Sequence, residues 1–105
     1  MIQYTTVKTV KQTGEYRKWY NRLSDLKTKA RIDVRIQRLA MGHAGDAKAI
    51  DANVKELRFH FGPGYRVYFT EMGGEIVILL AGGDKSTQEA DIKKAIALRA
   101  GITEV

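Results

Sequence analysis

The side chains of this chain whose types and spacing could do chemistry lie between Glu56 and Gln88, in ELRFHFGPGYRVYFTEMGGEIVILLAGGDKSTQ. Side chains alternate along a strand, so Glu56, Arg58 and His60 project to one face while Leu57, Phe59 and Phe61 project to the other. Beyond the turn Gly62-Pro63-Gly64, the same period separates Arg66, Tyr68 and Thr70 from Tyr65, Val67 and Phe69. A hairpin of these two strands gathers Arg58, His60 and Arg66 into one patch and turns its charged side away from its aromatic side. Fixed cations suit the stabilisation of charge developing on phosphoryl oxygens, an arginine as a two-pronged fork and a lysine as a point charge. His60 is of the type whose reference pKa, about 6.5, suits proton transfer near neutrality. Glu56 is two positions away on the same face, and Tyr68 lies across the hairpin. Bland readings stand beside these: Glu56 and Arg58 can simply pair with neighbouring charges, and a histidine beside Gly-Pro-Gly can support the turn.

Elements on either side must position that hairpin. Ile2 to Val7 alternates and predicts a first strand. From Thr13, the positions Tyr16, Trp19, Tyr20 and Leu23 follow the stripe of an amphipathic helix, most simply a core stripe with Tyr20 partly exposed. Ser24 is placed to cap a second helix through Leu26, Ala30, Val34, Ile36, Leu39 and Ala40 to Met41, which Gly42 can end. The aromatic sheet face, with Leu57, Phe59, Tyr65, Val67 and Phe69, is the surface this helix pair should cover. His43 to Asn53 has no sustained period and reads as a loop. Gly73-Gly74 predicts a tight turn into Glu75–Ala81, a strand apolar on both faces and so suited to a central place. Ser86 and Glu89 have capping-box spacing for a last helix through Ile92, Ala95 and Ile96, with Gly101 at its end. Its Lys93, Lys94 and Arg99 read as a solvated face, and Asp84 reads as a loop-holding residue.

Composition narrows the function classes. The 105 residues suit one domain, 1–105, with a single core. With no cysteine there is no disulfide framework and no thiol nucleophile, and no stretch approaches the roughly 20 apolar residues of a membrane span. The expectation is a cytoplasmic protein without a membrane partner. Lysine and arginine number 18 against 12 acids, a net charge of +6 that suits a polyanionic or acidic partner as well as a plain solvated surface. The only histidines are His43 and His60, no carboxylate cluster has metal-site spacing, and neither GxxxxGK[ST] nor GxGxxG occurs, so no metal or cofactor is expected.

The runs ELRFHFGPGYRVYF and LLAGGDKSTQEADIKKA, with Trp19 to Leu26 and IQRLAMGHAGD (Ile36 to Asp46) before them in order, resemble the RelE/ParE superfamily of small bacterial toxins, in particular its HigB-like, addiction-module killer branch. The resemblance covers nearly the whole chain. It implies an α+β fold in the order β-α-α-β-β-β-α, two N-terminal helices packed on a twisted, mostly antiparallel sheet. It also implies a type II toxin acting as a ribosome-dependent mRNA interferase, a metal-independent endoribonuclease. Arg66 and Lys85 match the family's cationic positions and Arg58 is a third, all three placing phosphate and stabilising its charge, while Arg58, Arg66, Tyr68 and Lys85 would contact RNA and His60 and Glu56 would move protons. Several superfamily members use a histidine or tyrosine near the chain end, and this chain has neither beyond Lys85. The implied partners are a helix-turn-helix, HigA-like antitoxin, the ribosome and mRNA, with operator DNA reached only through the antitoxin. Two alternatives remain on the sequence: a ParE-like inhibitor of DNA gyrase without nuclease activity, and an inactive homologue that only binds its antitoxin.

Overall fold

A computed structural model describes residues 7–103. The elements are β1 (Thr9–Gln12), α1 (Gly14–Arg22), α2 (Leu26–Ala40), β2 (Ala47–Ala49), β3 (Lys55–Arg58), β4 (Arg66–Met72), β5 (Ile76–Gly83), a 3₁₀ turn (Lys85–Thr87) and α3 (Gln88–Ala100). They form one five-stranded sheet in the order β1-β5-β4-β3-β2, with β1 parallel to β5 and every other pair antiparallel. This is the expected α+β class.

The strand expected over Ile2–Val7 falls, apart from Val7, outside the described residues, and Val7 itself is not in a strand. The first described strand lies later, at Thr9–Gln12, where it pairs with Ile76–Leu79. The stretch His43 to Asn53, read as a loop, holds the short edge strand β2, which three residues of Ala-Lys-Ala are too few to announce by alternation. Two caps also differ. Asp25, not Ser24, caps α2, its carboxylate accepting from the Lys27 amide at 3.2 Å and the Thr28 hydroxyl at 2.9 Å. At the other end, Asp84 and Thr87 form the capping box that was expected of Ser86 and Glu89, because a 3₁₀ turn intervenes before α3 begins.

The helix pair covers the aromatic sheet face as its stripes require. Tyr16, Ile32 and Leu39 pack with Leu57, Phe59, Val67, Phe69, Val77 and Leu79 in one core, with Trp19, Tyr20 and Tyr65 at its edge. Each such fully buried apolar side chain is worth about 1.5–3 kcal/mol, so this layer fixes where the hairpin sits. Gly73 and Gly74, at φ +62° and +73°, make the tight turn between β4 and β5. In β5 the pairing slips between Tyr68/Ala81 and Phe69/Leu79, a bulge whose Leu80 carbonyl accepts from the Thr13 hydroxyl at the start of α1.

The opposite sheet face, charged along the hairpin and apolar along β5, is covered as the two-sided apolar strand requires. Helix α3 lies across it, and Tyr68, Ile78, Leu80 and Ala81 form a second core with Val54 and Ala95. Glu56, Arg66, Tyr68 and Thr70 are consequently buried. Arg99, expected on a solvated face, reaches inward and donates to the Thr70 hydroxyl at 2.9 Å, whereas Lys93 and Lys94 stay exposed.

Candidate functional site

The site grows from the register of β2, β3 and β4. Arg58 stands directly opposite Arg66, and the Arg58 amide donates to the Asp46 carbonyl at 3.0 Å just beyond the end of β2. Asp46, Arg58 and Arg66 therefore form one row across three strands, with Glu56 opposite Tyr68 in the next row. Two guanidinium groups side by side repel, and each has a carboxylate beside it. The Asp46 carboxylate accepts from Arg58 at 2.9 and 3.2 Å, and Glu56 lies 3.9 Å from the Arg66 Nε.

The outer and inner arginines differ in kind. The Arg58 side chain is 37% exposed, that of Arg66 only 9%. Arg66 turns its Nη1 onto the hairpin backbone, donating to the carbonyls of Tyr65 at 3.1 Å, Gly64 at 3.2 Å and Phe59 at 3.5 Å. Its Nε is buried without a hydrogen-bond partner. Glu56 also accepts from the Gln88 side chain of α3 at 2.9 Å. The Tyr68 hydroxyl is likewise buried and unpartnered, and burial first, then the Glu56 carboxylate, push its phenol well above the ordinary tyrosine range.

The Gly-Pro-Gly turn and the 3₁₀ turn bring the last cation in. The Lys85 amide donates to the Pro63 carbonyl at 3.3 Å, which docks the two turns together. Gly64 sits at φ +75°, and a Cβ there would lie 3.3 Å from the Lys85 Cβ, so both conformation and close approach call for glycine. The result is an open cavity of about 380 Å³ lined by Phe59, His60, Phe61, Pro63, Arg66 and Lys85. Lys85 is exposed and has no ion pair among the described residues.

His60 stands at the mouth, 73% exposed, with its Nε2 against the Asp46 carboxylate. That hydrogen bond, followed by the one from Arg58, holds the Asp46 carboxyl below the ordinary aspartate range. An Asp–His contact of this kind fixes the ring and, with Nε2 donating, leaves Nδ1 as the free acceptor.

Of the predicted residues, Arg66, Lys85 and His60 line the cavity, and Arg58 stands beside it, tied to Asp46. Glu56 and Tyr68 do not reach it. At 1% and 0% exposure they sit beneath α3, so the RNA contact expected of Tyr68 and the proton-moving role expected of Glu56 do not fit this arrangement. Asp84 holds its loop as expected, accepting from the Ser86 amide at 2.8 Å. Sequence reasoning missed Asp46 and Gln88. Recognising β2 would have found Asp46, since it places that residue opposite Arg58; Gln88 carries no comparable signal. No group of three His, Cys, Asp or Glu side chains is arranged to hold a metal ion among the described residues.

Two helices on one face of this mixed sheet and a third on the other define a RelE-like fold. The chain aligns with the structure of a double arginine-to-alanine mutant of E. coli toxin RelE in the free state, at a TM-score of 0.70 over 90% of this chain and 98% of that one, with 8% identity. The chain belongs to the family described as Phage derived protein Gp49-like, which matches residues 18–99. It is also 48% identical over 86 residues, 82% of its own length and 87% of the relative's, to an uncharacterized protein of Haemophilus influenzae. Among the described residues, no helix is long and apolar enough to cross a membrane.

Proposed function

We propose that this chain is the toxin of a type II toxin–antitoxin pair, of the HigB-like kind, and that it acts in the cytoplasm as a ribosome-dependent mRNA interferase. The observation that carries the reading is the cavity where Lys85, without an ion pair among the described residues, the Arg66 charge and the Asp46-bound His60 converge. Cleavage by attack of a ribose 2′-hydroxyl on the adjacent phosphate needs a proton acceptor, charge on the phosphoryl oxygens stabilised, and a proton for the leaving 5′-oxygen. His60 Nδ1 takes the 2′-hydroxyl proton, Lys85 meets the phosphoryl oxygens directly, Arg66 adds its field from the cavity floor, and solvent water supplies the proton to the leaving 5′-oxygen. Arg58 and Asp46 hold the histidine ring, and Glu56 holds Arg66. The ribosome aligns the RNA backbone, which lessens the demand on side-chain acids and bases. A helix-turn-helix, HigA-like antitoxin neutralises the toxin, and operator DNA is bound through it.

The test is induced expression without antitoxin, with RNA 5′ ends mapped in the presence and absence of translation. The wild-type chain should cut inside translated frames only when ribosomes are on the message. Lys85→Ala, folded as judged by circular dichroism, should lose cleavage by about 10²-fold or more, as for other preorganised charge donors. Growth arrest with intact mRNA and broken DNA would replace this reading with gyrase poisoning, and undiminished cutting by Lys85→Ala would remove the assigned site.

A further inference from the structure

A second groove lies on the other side of the Phe59–His60–Phe61 segment, between that segment and α2. It measures about 400 Å³ and is lined chiefly by Arg31, Val34, Arg35, Arg38, Phe59 and Phe61. That volume falls within the roughly 300–1,000 Å³ of small-ligand sites. Its chemistry differs from that of the cavity beside it. The guanidinium carbons of Arg31 and Arg35 lie 4.7 Å over the Phe61 and Phe59 rings, so two cations already sit over aromatic rings. Val34 is 44% exposed on the α2 side. None of Arg31, Arg35 and Arg38 forms an ion pair with a carboxylate among the described residues.

We propose that this groove is a nucleotide subsite, taking the base and ribose next to the phosphate held at His60 and Lys85; the inference rests on the RNA-cleaving reading. Single-stranded RNA is recognised by stacking of splayed bases on aromatic rings and guanidinium planes, with cations tracking the backbone. The two cavities share the wall Phe59, His60 and Phe61, with phosphate-type lining on one side and stacking-type lining on the other. A strand whose phosphate occupies the first cavity meets the second with its neighbouring nucleotide. Arg35 is fixed for this by donating to the carbonyls of Arg58 at 2.9 Å and of Ala44 and Asp46 at 3.3 Å, while Arg31 and Arg38 are exposed. An acidic protein helix would meet the same arginines, but only an RNA strand uses both sides of the shared wall.

The discriminating experiment adds the full-length protein to a translating extract and sequences the cut ends. Three exposed sites on α2 are compared: Val34→Glu and Arg38→Ala in the groove, and Leu26→Glu outside it as a charge-matched control, Leu26 being 79% exposed. The groove variants should cut about 10- to 100-fold more slowly, the loss expected for one stacked base, and should change the base preference beside the cut. Leu26→Glu should cut as the wild-type does. Wild-type rate and base preference in both groove variants would overturn the subsite while leaving the RNA-cleaving reading in place. Normal cutting by variants that have lost affinity for a partner protein would overturn it in favour of protein docking. Absence of any RNA cut by the wild-type chain would remove both readings.

Discussion

Replacing Arg66 by alanine separates two roles that the cavity combines. The guanidinium is nearly buried, donates to three hairpin carbonyls, and lies beside a Glu56 carboxylate that is itself only 1% exposed. Hydrogen bonds from a charged group contribute about 1.5–3 kcal/mol, and removing one partner of a buried pair costs about 3–5 kcal/mol. The Arg66–Glu56 separation of 3.9 Å is long for such a pair, so the lower end applies, about 3 kcal/mol. Total stability for a domain of this size is about 5–15 kcal/mol, and the variant should fold while being clearly weakened. With a urea slope of about 1.5 kcal/mol/M, the unfolding midpoint should fall by about 2 M. Trp19, the single tryptophan, packs against Gly82 and Tyr65 and reports the transition by fluorescence. Adding Glu56→Gln removes the stranded carboxylate and should recover part of the loss, a coupling readable in a double-mutant cycle. A midpoint within about 0.3 M of wild type, the range of an ordinary surface substitution, would refute the buried-lock argument. Arg66 would then be a free cation, and loss of activity in Arg66→Ala could be read as chemistry alone.

Asp46→Asn should leave the fold intact but release the His60 ring, lowering RNA cleavage by about tenfold or more, part of the general-base contribution. Nitrogen-15 NMR of His60 should show one neutral tautomer giving way to a mixture, and an unchanged tautomer would sink the orienting role assigned to Asp46. The carboxyls of Asp25, Asp46, Glu71 and Asp84 all lie below their ordinary range, held first by Thr28, His60, Lys8 and Ser86 respectively. Groups depressed in the folded state stabilise it above their unfolded values, about 4, and lose that effect as pH falls through the folded ones. Urea midpoints should therefore drop below about pH 4, and a rise on acidification would contradict this sign.

What could be read from the chain follows the reach of each signal. Period-2 alternation separated Leu57, Phe59, Val67 and Phe69 from the polar set, and the helical stripe through Tyr16 found the layer that covers them. Gly73-Gly74 and the two-sided apolar strand marked an interior strand, β5, which lies between β1 and β4. Alternation does not say what covers a face, however. The polar side of the hairpin looked open because α3 docks with few large apolar side chains, Ala95 alone being fully buried in it. Alternation thus groups Glu56 and Tyr68 with the patch of Arg58, His60 and Arg66, whereas Glu56 and Tyr68 are internal supports and Arg66 is nearly buried. Asp46 escaped because its partners, Arg58 and His60, are 12 and 14 residues away, a distance bridged only by the register of β2 on β3.

The parallel pairing of β1 with β5 sets an order of events in synthesis. The first described strand has no neighbour until Ile76–Leu79 has emerged, and only then does β1 join the edge of the sheet. Pairings so distant in sequence form late, since loop closure precedes their gain. Lys85 follows β5 after the single residue Asp84, and the turn that carries it docks on Pro63 only once β5 is in place. A partly made chain accordingly presents the hairpin without its last cation and without the α3 cover over Tyr68. The cavity is thus completed only after β5 and the turn that carries Lys85 have formed, late in the folding of the described residues.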